Sequence, residues 1–352
     1  MNAELLAREL EASRQRSLAL LEPLDEHDLT RQVSPLMSPL VWDLAHIAAY
    51  EDLWLAHRAG GLPLLREDLA ATYDAFETPR AVRGEIELLD AGGARAYLAE
   101  VRERARPFAE GELAELVLRH ELQHTETMRQ AMRLGGLEAP GEDALPGPMG
   151  GEDGWVELEG GPFAMGAGPE GFAYDNERPR HEVELAPFRI ARRPVSNATW
   201  LTFTEGGGYV RREWWSDEGW AWKQDYDIGE CPRAAAAHPD APVCHVSWFE
   251  ADALARSLGA RLPTEAEWER ASASDQLDGT GLVWEWTASD FTGYPGFVAH
   301  PYREYSEVFF GPEHRVLRGG SWATHPRVAS PTFRNWDLPQ RRQLFAGLRL
   351  AC

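Results

Sequence analysis

Between Gly136 and Gly154 the chain runs through proline and glycine with no apolar period, and the residues on its two sides obey different rules. Such a stretch continues neither a helix nor a sheet ladder, so whatever precedes it must close a core of its own, and so must whatever follows. The length agrees, since 352 residues are ample for two cores. We expect a first domain over 1–135, a linker over 136–154 and a second domain over 155–352.

Before the break the apolar residues recur at helical spacing. From Leu5 to Leu24 they fall at Leu6, Leu10, Leu20, Leu21 and Leu24 among Arg and Glu, which predicts a one-faced helix ending near Pro23. A second helix is expected to open at Ser38-Pro39, the serine as cap and the proline in the first turn, and to run to Tyr50. His46 falls among its packing residues. Between Tyr73 and Leu89 the pattern breaks into a loop or short helix, where Arg80 and Arg83 either clamp a carboxylate from one side or are simply solvated. A third helix follows through Ala94, Tyr97, Leu98, Val101 and Ala105 and stops at Pro107; a fourth carries Leu113, Leu116, Val117, Met128 and Met132. Four one-faced helices joined by loops make a bundle, and bundles build metal sites from side chains on facing helices.

On the fourth helix His120 and His124 stand one turn apart on one face, close enough to grip one ion. A bare pair of this kind is more often an accident of surface or core than a ligand set. The letters also spell His-Glu-x-x-His, the zinc-peptidase pattern, in which Glu121 faces bound water as the base and a third ligand follows on a later segment. No further histidine motif extends the pattern after His124. His46 by itself reads as a hydrogen-bonded core histidine, unless another helix brings a matching pair to its depth.

After the break tryptophans multiply and strands are short. Trp155–Leu158 and His181–Leu185 alternate like strands, while Ser247-Trp-Phe-Glu250 and Thr264-Glu-Ala-Glu267 are capping boxes that open helices. With only two clear helices and many turns, this half reads as α+β with small sheets and long packed loops. No internal repeat or low-complexity tract is found.

The formal charge of −22 argues against a nucleic-acid partner, because phosphate backbones are bound by Lys and Arg. Three cysteines, Cys231, Cys244 and Cys352, have no metal-type spacing and fit a reducing compartment better than a disulfide framework. The N-terminal residues mix charge into their apolar positions and offer neither a signal-peptide core nor a membrane span. A cytoplasmic protein that contacts no membrane is expected, and a monomer, since no interface helix is evident.

Four stretches carry a resemblance: Arg-Leu-Pro-Thr-Glu-Ala-Glu-Trp-Glu (261–269), Val-Trp-Glu-Trp-Thr (283–287), Arg-Gly-Gly-Ser-Trp (318–322) and Gly-Leu-Arg (347–349). In this order they resemble the formylglycine-generating-enzyme-like domain, a C-type-lectin-like fold, and the helical half with its three histidines resembles the DinB-like domain. Fused so, they resemble the non-haem iron sulfoxide synthases of ergothioneine biosynthesis, the EgtB family, with the ovothiol and selenoneine enzymes as neighbours. The resemblance covers nearly the whole chain. It implies an α+β protein, a DinB-like four-helix bundle followed by a C-type-lectin-like domain. It also implies an Fe(2+) oxidoreductase that uses O2 to join hercynine to a thiol donor and oxidise the sulfur to the sulfoxide.

Position by position, the resemblance makes His46, His120 and His124 the iron ligands. It places Gln123, Asn335, Trp336 and Asp337 against hercynine and the donor, Arg80 and Arg83 on the carboxylates of γ-glutamylcysteine, and Asp337 with Arg341 on the cysteinyl portion. A tyrosine that donates a proton during oxygen activation falls at Tyr294 or Tyr302. Cysteine, or a selenosugar as in selenoneine synthesis, would use the same chemistry in a differently shaped pocket. Three neutral imidazoles on one face of Fe(II) leave three adjacent positions for acceptor, donor and O2. The chain departs from the resemblance between Arg270 and Val283, where family members carry a much longer loop, so no calcium site or other loop-dependent feature is carried over. Three rivals are set against this reading. They are the zinc peptidase, a copper-dependent formylglycine-generating oxidase, for which Gly319–Arg349 lacks the cysteine pair, and a non-catalytic lectin-like binding module with an inert bundle.

Overall fold

The computed structural model describes residues 3–137, 146–151, 153–229 and 238–352. The chain divides into two compact units, Met1–Asp143 and Ala144–Cys352. Of the expected linker, residues 138–145 and 152 lie outside the described residues, as does Cys231.

The first unit is built on four long helices, α1 (Ala3–Leu21), α3 (Leu40–Glu51), α4 (Ala91–Ala105) and α5 (Gly111–Gly135), with a short α2 (Glu26–Thr30) between the first two. Helix α2 escaped the periodicity because it is barely more than one turn, held by Asp25, whose carboxylate accepts from the Asp28 amide. Helix α3 begins where expected but is not capped by serine. Its first turn follows Pro39, and the Ser38 hydroxyl instead accepts a hydrogen bond from Arg83. Past Glu51 it continues as a π-helical stretch, Asp52–Ala59. Helix α5 closes on Gly136, whose φ of 67° is the left-handed conformation in which glycine ends a helix at no steric cost. The faces of these helices meet in one apolar core that includes Leu20, Leu21, Val41, Leu44, Ala48, Ala94, Leu98, Val101, Met128 and Met132.

A buried ionic cluster ties the same helices together on another side. Arg14 of α1 donates to Glu51 of α3 and Glu121 of α5, and Arg102 of α4 donates to the same two carboxylates. Each member is nearly excluded from solvent, so each charge depends on its partners.

The second unit holds a two-stranded pair β1 (Trp155–Leu158) with β4 (Phe188–Ala191), a second pair β2 (Gly161–Met165) with β3 (His181–Leu185), and a four-stranded sheet in the order β7-β6-β5-β8. In that sheet β5 (Trp284–Phe291) lies antiparallel to β6 (Gly311–Arg318) and parallel to β8 (Ala346–Leu348), and β7 (Asn335–Asp337) forms an edge. Four helices accompany it, two more than the sequence suggested: α6 (Asn197–Glu205), α7 (Asp217–Asp225), α8 (Trp248–Ser257) and α9 (Glu265–Ser272). The capping boxes of α8 and α9 are formed as read. Helices α6 and α7 lack an apolar stripe and are set by Ser196 and Ser216, whose hydroxyls accept from Thr199 and Gly219 amides.

The recurrent motifs of this half are architectural. Glu285 of β5 receives Arg349 in a two-pronged ion pair and the indole N–H of Trp268, all buried. Gly319 and Gly320 both have positive φ, 94° and 85°, and Gly347 leaves room for the backbone carbonyl of Val243 to pass against β8. Arg334 is fully buried, forks onto Glu265 and donates to the carbonyls of Asn176 and Thr292, which anchors the residue immediately before β7. Helices and small sheets in one chain make the protein α+β, a helical bundle followed by a C-type-lectin-like domain. No helix among the described residues is long and apolar enough to cross a membrane.

Candidate metal centre

Helices α3 and α5 bring His46, His120 and His124 together. One ring nitrogen of each lies within 4.8 Å of the others, and the ring centroids are 4.5–4.9 Å apart. The i, i+4 spacing of His120 and His124 sets two rings on one face of α5, and the packing of α3 against that face delivers the third.

The outward nitrogens are held. Nδ1 of His46 lies 2.6 Å from the carbonyl of Tyr73, and Nδ1 of His124 lies 2.9 Å from Oδ1 of Asp43. A carbonyl or carboxylate only accepts, so Nδ1 of each of these rings carries a proton, and in the neutral form of the ring Nε2 is left as a lone-pair donor. Burial, reinforced by the neighbouring histidines, pushes the pKa of His46 and His120 well below 6.5, so both rings are neutral at pH 7. Nε2 of His46 and Nε2 of His120 are 3.1 Å apart. Two nitrogens about 2.1 Å from one ion and at right angles to each other would be about 3 Å apart. The donor set therefore fits a first-row divalent ion on one face, leaving its other side to solvent or substrate.

Along α5 the half-buried residues Arg119, His120, Gln123, His124 and Thr127 form one stripe, so Gln123 shares the face of both histidines. Glu121 does not. It is fully buried, accepting from Arg14 (2.9 Å), Arg102 (3.3 Å) and Ser17 (3.0 Å). Burial alone would raise its pKa, but the two guanidiniums outweigh this and hold it below the usual carboxylate range. A carboxylate locked between two arginines is no base for a metal-bound water, and the zinc-peptidase reading is overturned.

The two arginines stand in different surroundings. Arg83 is buried, with Nε donating to the Thr78 carbonyl (2.9 Å), one terminal nitrogen to Ser38 (2.8 Å) and the other to the Ala75 carbonyl (3.3 Å). Its guanidinium lies 3.4 Å from the centre of the Trp42 ring, which in turn stacks on His46 at 4.7 Å. Burial brings the Arg83 pKa down to about 10. Arg80 is exposed. Arg80 opens the short turn Arg80–Val82 and Arg83 caps it, and the positive charge of both helps to lower the pKa of His46.

In the second unit Asn335, Trp336 and Asp337 are the three residues of edge strand β7, all half-buried. Trp336 stacks on Phe291 with centroids 4.2 Å apart, and Arg341 pairs with Asp337 at 3.4 Å. The two tyrosine candidates differ. Tyr294 is buried beneath Arg334, 4.2 Å from guanidinium to ring centre, and burial raises its pKa strongly. Tyr302 is half-buried and opens the turn Arg303–Tyr305.

Residues 9–128 match the DinB superfamily, and residues 143–280 and 272–352 match the sulfatase-modifying factor enzyme 1-like domain. The hercynine oxygenase of Mycolicibacterium smegmatis is 41% identical over 426 aligned positions, which take in 99% of this chain and 98% of that protein. The chain belongs to the hercynine oxygenase family. The hercynine oxygenase of Mycobacterium tuberculosis is likewise 41% identical, over 422 positions and with 99% and 98% coverage. Ergothioneine biosynthesis protein 1 of Schizosaccharomyces pombe is 27% identical over 215 positions, 51% of this chain and 27% of that protein. As a member of the family the protein is an oxidoreductase, which removes the inert lectin-like reading. The family alignment is longer than this chain, 426 positions against 352 residues, so its relatives carry residues with no counterpart here. The two matched segments of the second domain meet at 272–280, inside the stretch that the sequence showed to be short.

Sequence reasoning missed the residues that orient the histidines. Asp43 stands three positions before His46, a spacing that shares a helix face, yet its partner is His124 on another helix. Trp42, Tyr50 and the Tyr73 carbonyl carry no motif at all.

Proposed function

We propose that this protein is an Fe(2+)- and O2-dependent sulfoxide synthase that joins hercynine to γ-glutamylcysteine. The observation that carries the reading is the three-histidine face, with two rings pinned through Nδ1 so that Nε2 of each points at one place. Membership of the hercynine oxygenase family supplies the acceptor. Bound at His46, His120 and His124, ferrous iron would supply O2 reduction and a site that favours the thiolate over the thiol.

The electron count closes. Joining an imidazole C–H to an S–H through a new carbon–sulfur bond releases two electrons and two protons, and oxidising that sulfur to the sulfoxide releases two more electrons. One molecule of O2 accepts all four, giving one oxygen atom to sulfur and the other to water.

The protein's own groups hold and orient. Gln123, on the histidine face of α5, donates or accepts at the polar edge of hercynine, and Asn335 and Trp336 offer an amide and a flat ring on β7. Asp337 and Arg341, already paired, match the ammonium and carboxylate of an amino acid such as the cysteinyl portion of the donor. Arg80, whose side chain is exposed, takes a donor carboxylate; Arg83 serves the fold around Trp42. Tyr302 is the proton donor, because Tyr294 is committed to the core.

The test is purification with iron under anaerobic conditions, followed by O2 and hercynine with γ-glutamylcysteine, cysteine or a selenosugar, and products read by mass. The γ-glutamylcysteine sulfoxide adduct is expected. An adduct only with cysteine or the selenosugar reassigns the donor, and no adduct with any of the three overturns the proposal.

A further inference from the structure

The three histidines are not held alike. His46 and His124 are each pinned through Nδ1 by an acceptor, whereas Nδ1 of His120 is buried and has no hydrogen-bond partner among the described residues. What His120 has instead is a ring. Tyr50, one turn after His46 on α3, lies face to face with it, centroids 3.7 Å apart and planes 10° from parallel. Tyr50 also lines a cavity of about 330 Å³, together with His46, Ala49, Leu53, Tyr73 and Tyr97.

We propose that Tyr50 is the positioning residue for His120, doing by ring stacking what a hydrogen bond does for the other two. An Nδ1–H held by an acceptor fixes a ring against rotation in its own plane and raises the basicity of Nε2. A stacked face fixes only the tilt of the plane. His120 is accordingly the weakest donor of the three and the one whose nitrogen can shift within its plane as the ligands opposite it change. Stacking also suits the charge: an imidazole on a divalent ion is electron-poor, and the face of a phenol ring is electron-rich. The inference rests on the trio being the metal site, and its test separates the two.

Cobalt(II) is the probe, titrated into the full metal-free chain and read by its visible absorption, with thermal melts as a check on folding. The parent chain is expected to bind one equivalent. Tyr50→Phe, which keeps the face, should retain the parent's spectrum and bind within about threefold of its affinity. Tyr50→Leu, which removes the face, should weaken binding by about 10- to 100-fold, the range seen when the support of a ligand is lost, and shift the absorption bands. If Tyr50→Leu does not fold, Tyr50→Met, similar in bulk but not flat, carries the same expectation. Binding and spectrum unchanged in the variant without the face would overturn the role of Tyr50 while leaving the site intact, and so would an equal loss in Tyr50→Phe. A parent chain that binds no cobalt overturns the metal site and this inference with it.

Discussion

Oδ1 of Asp43 accepts a hydrogen bond from Nδ1 of His124 at 2.9 Å, across the gap between α3 and α5. Asp43 is 1% exposed, so the carboxylate is committed to this contact and to nothing in solvent. Asp43→Ala is expected to weaken binding of a divalent ion by about 10- to 100-fold, because His124 then loses both its tautomer and its orientation. Isothermal titration with cobalt(II) or anaerobic ferrous iron checks this; unchanged affinity would mean that the pair does not support the ion.

Glu121 is held by two arginines away from the histidine face, and its role is structural. Glu121→Ala should cost about 3–5 kcal/mol of stability, since it leaves two buried guanidiniums, Arg14 and Arg102, to share the single carboxylate of Glu51. Urea unfolding gives that number. A fully stable variant lacking only activity would revive the catalytic-base reading.

The unequal placement of Arg80 and Arg83 predicts unequal variants. Arg80→Ala should raise the KM for the thiol donor at least about tenfold while leaving that for hercynine and the melting temperature unchanged. Arg83→Ala removes three hydrogen bonds and the stack on Trp42, and is expected to destabilise the fold by about 2–4 kcal/mol. Steady-state kinetics in each substrate together with melts separate the two; equal kinetic effects without loss of stability would restore the clamp.

Tyr302→Phe is expected to lower the rate of sulfoxide formation by about 100-fold or more, the scale of a lost proton donor. The Tyr294 hydroxyl is buried without a hydrogen-bond partner among the described residues, so Tyr294→Phe should stay within a few-fold of the parent. Product analysis by mass in both variants decides, and the reverse order would move the role to Tyr294.

Glu267 closes the capping box of α9 and pairs with Arg261. Burial tends to raise its pKa, but Arg261 and the Thr264 amide and hydroxyl more than compensate, so the folded value lies below the ordinary 4.5. A carboxylate depressed on folding contributes its stability above the unfolded pKa and loses it as pH falls through the folded one. Melting temperature should therefore drop as pH falls below 4.5, and Glu267→Gln should be less stable at neutral pH with a shallower acid slope. An unaltered slope in the variant would show that other carboxylates set the acid limit.

What was legible in the sequence was local. The periodicity of Leu6, Leu10 and Leu20, the i, i+4 spacing of His120 and His124, and the boxes at Ser247 and Thr264 are each properties of one segment. Helices α6 and α7 were not legible, because a short helix set by a serine cap has no apolar stripe to read. The arginine pair was legible as a spacing but not in its burial, since Arg83 is buried against Trp42 and Arg80 is exposed.

The order of residues was thus enough to locate the long helices, to separate two domains of different character and, through the motifs of the second half, to point to the family. It took the packed helices to show that His46 meets the other two histidines, that Asp43 reaches His124, that Tyr50 covers His120 and that Glu121 faces away. Backbone hydrogen bonding and apolar period act between residues a few positions apart. The contacts at the histidines join residues far apart in the chain, 74 positions for His46 with His120 and 81 for Asp43 with His124. No local pattern encodes such a distance, and how α3 packs on α5 sets it.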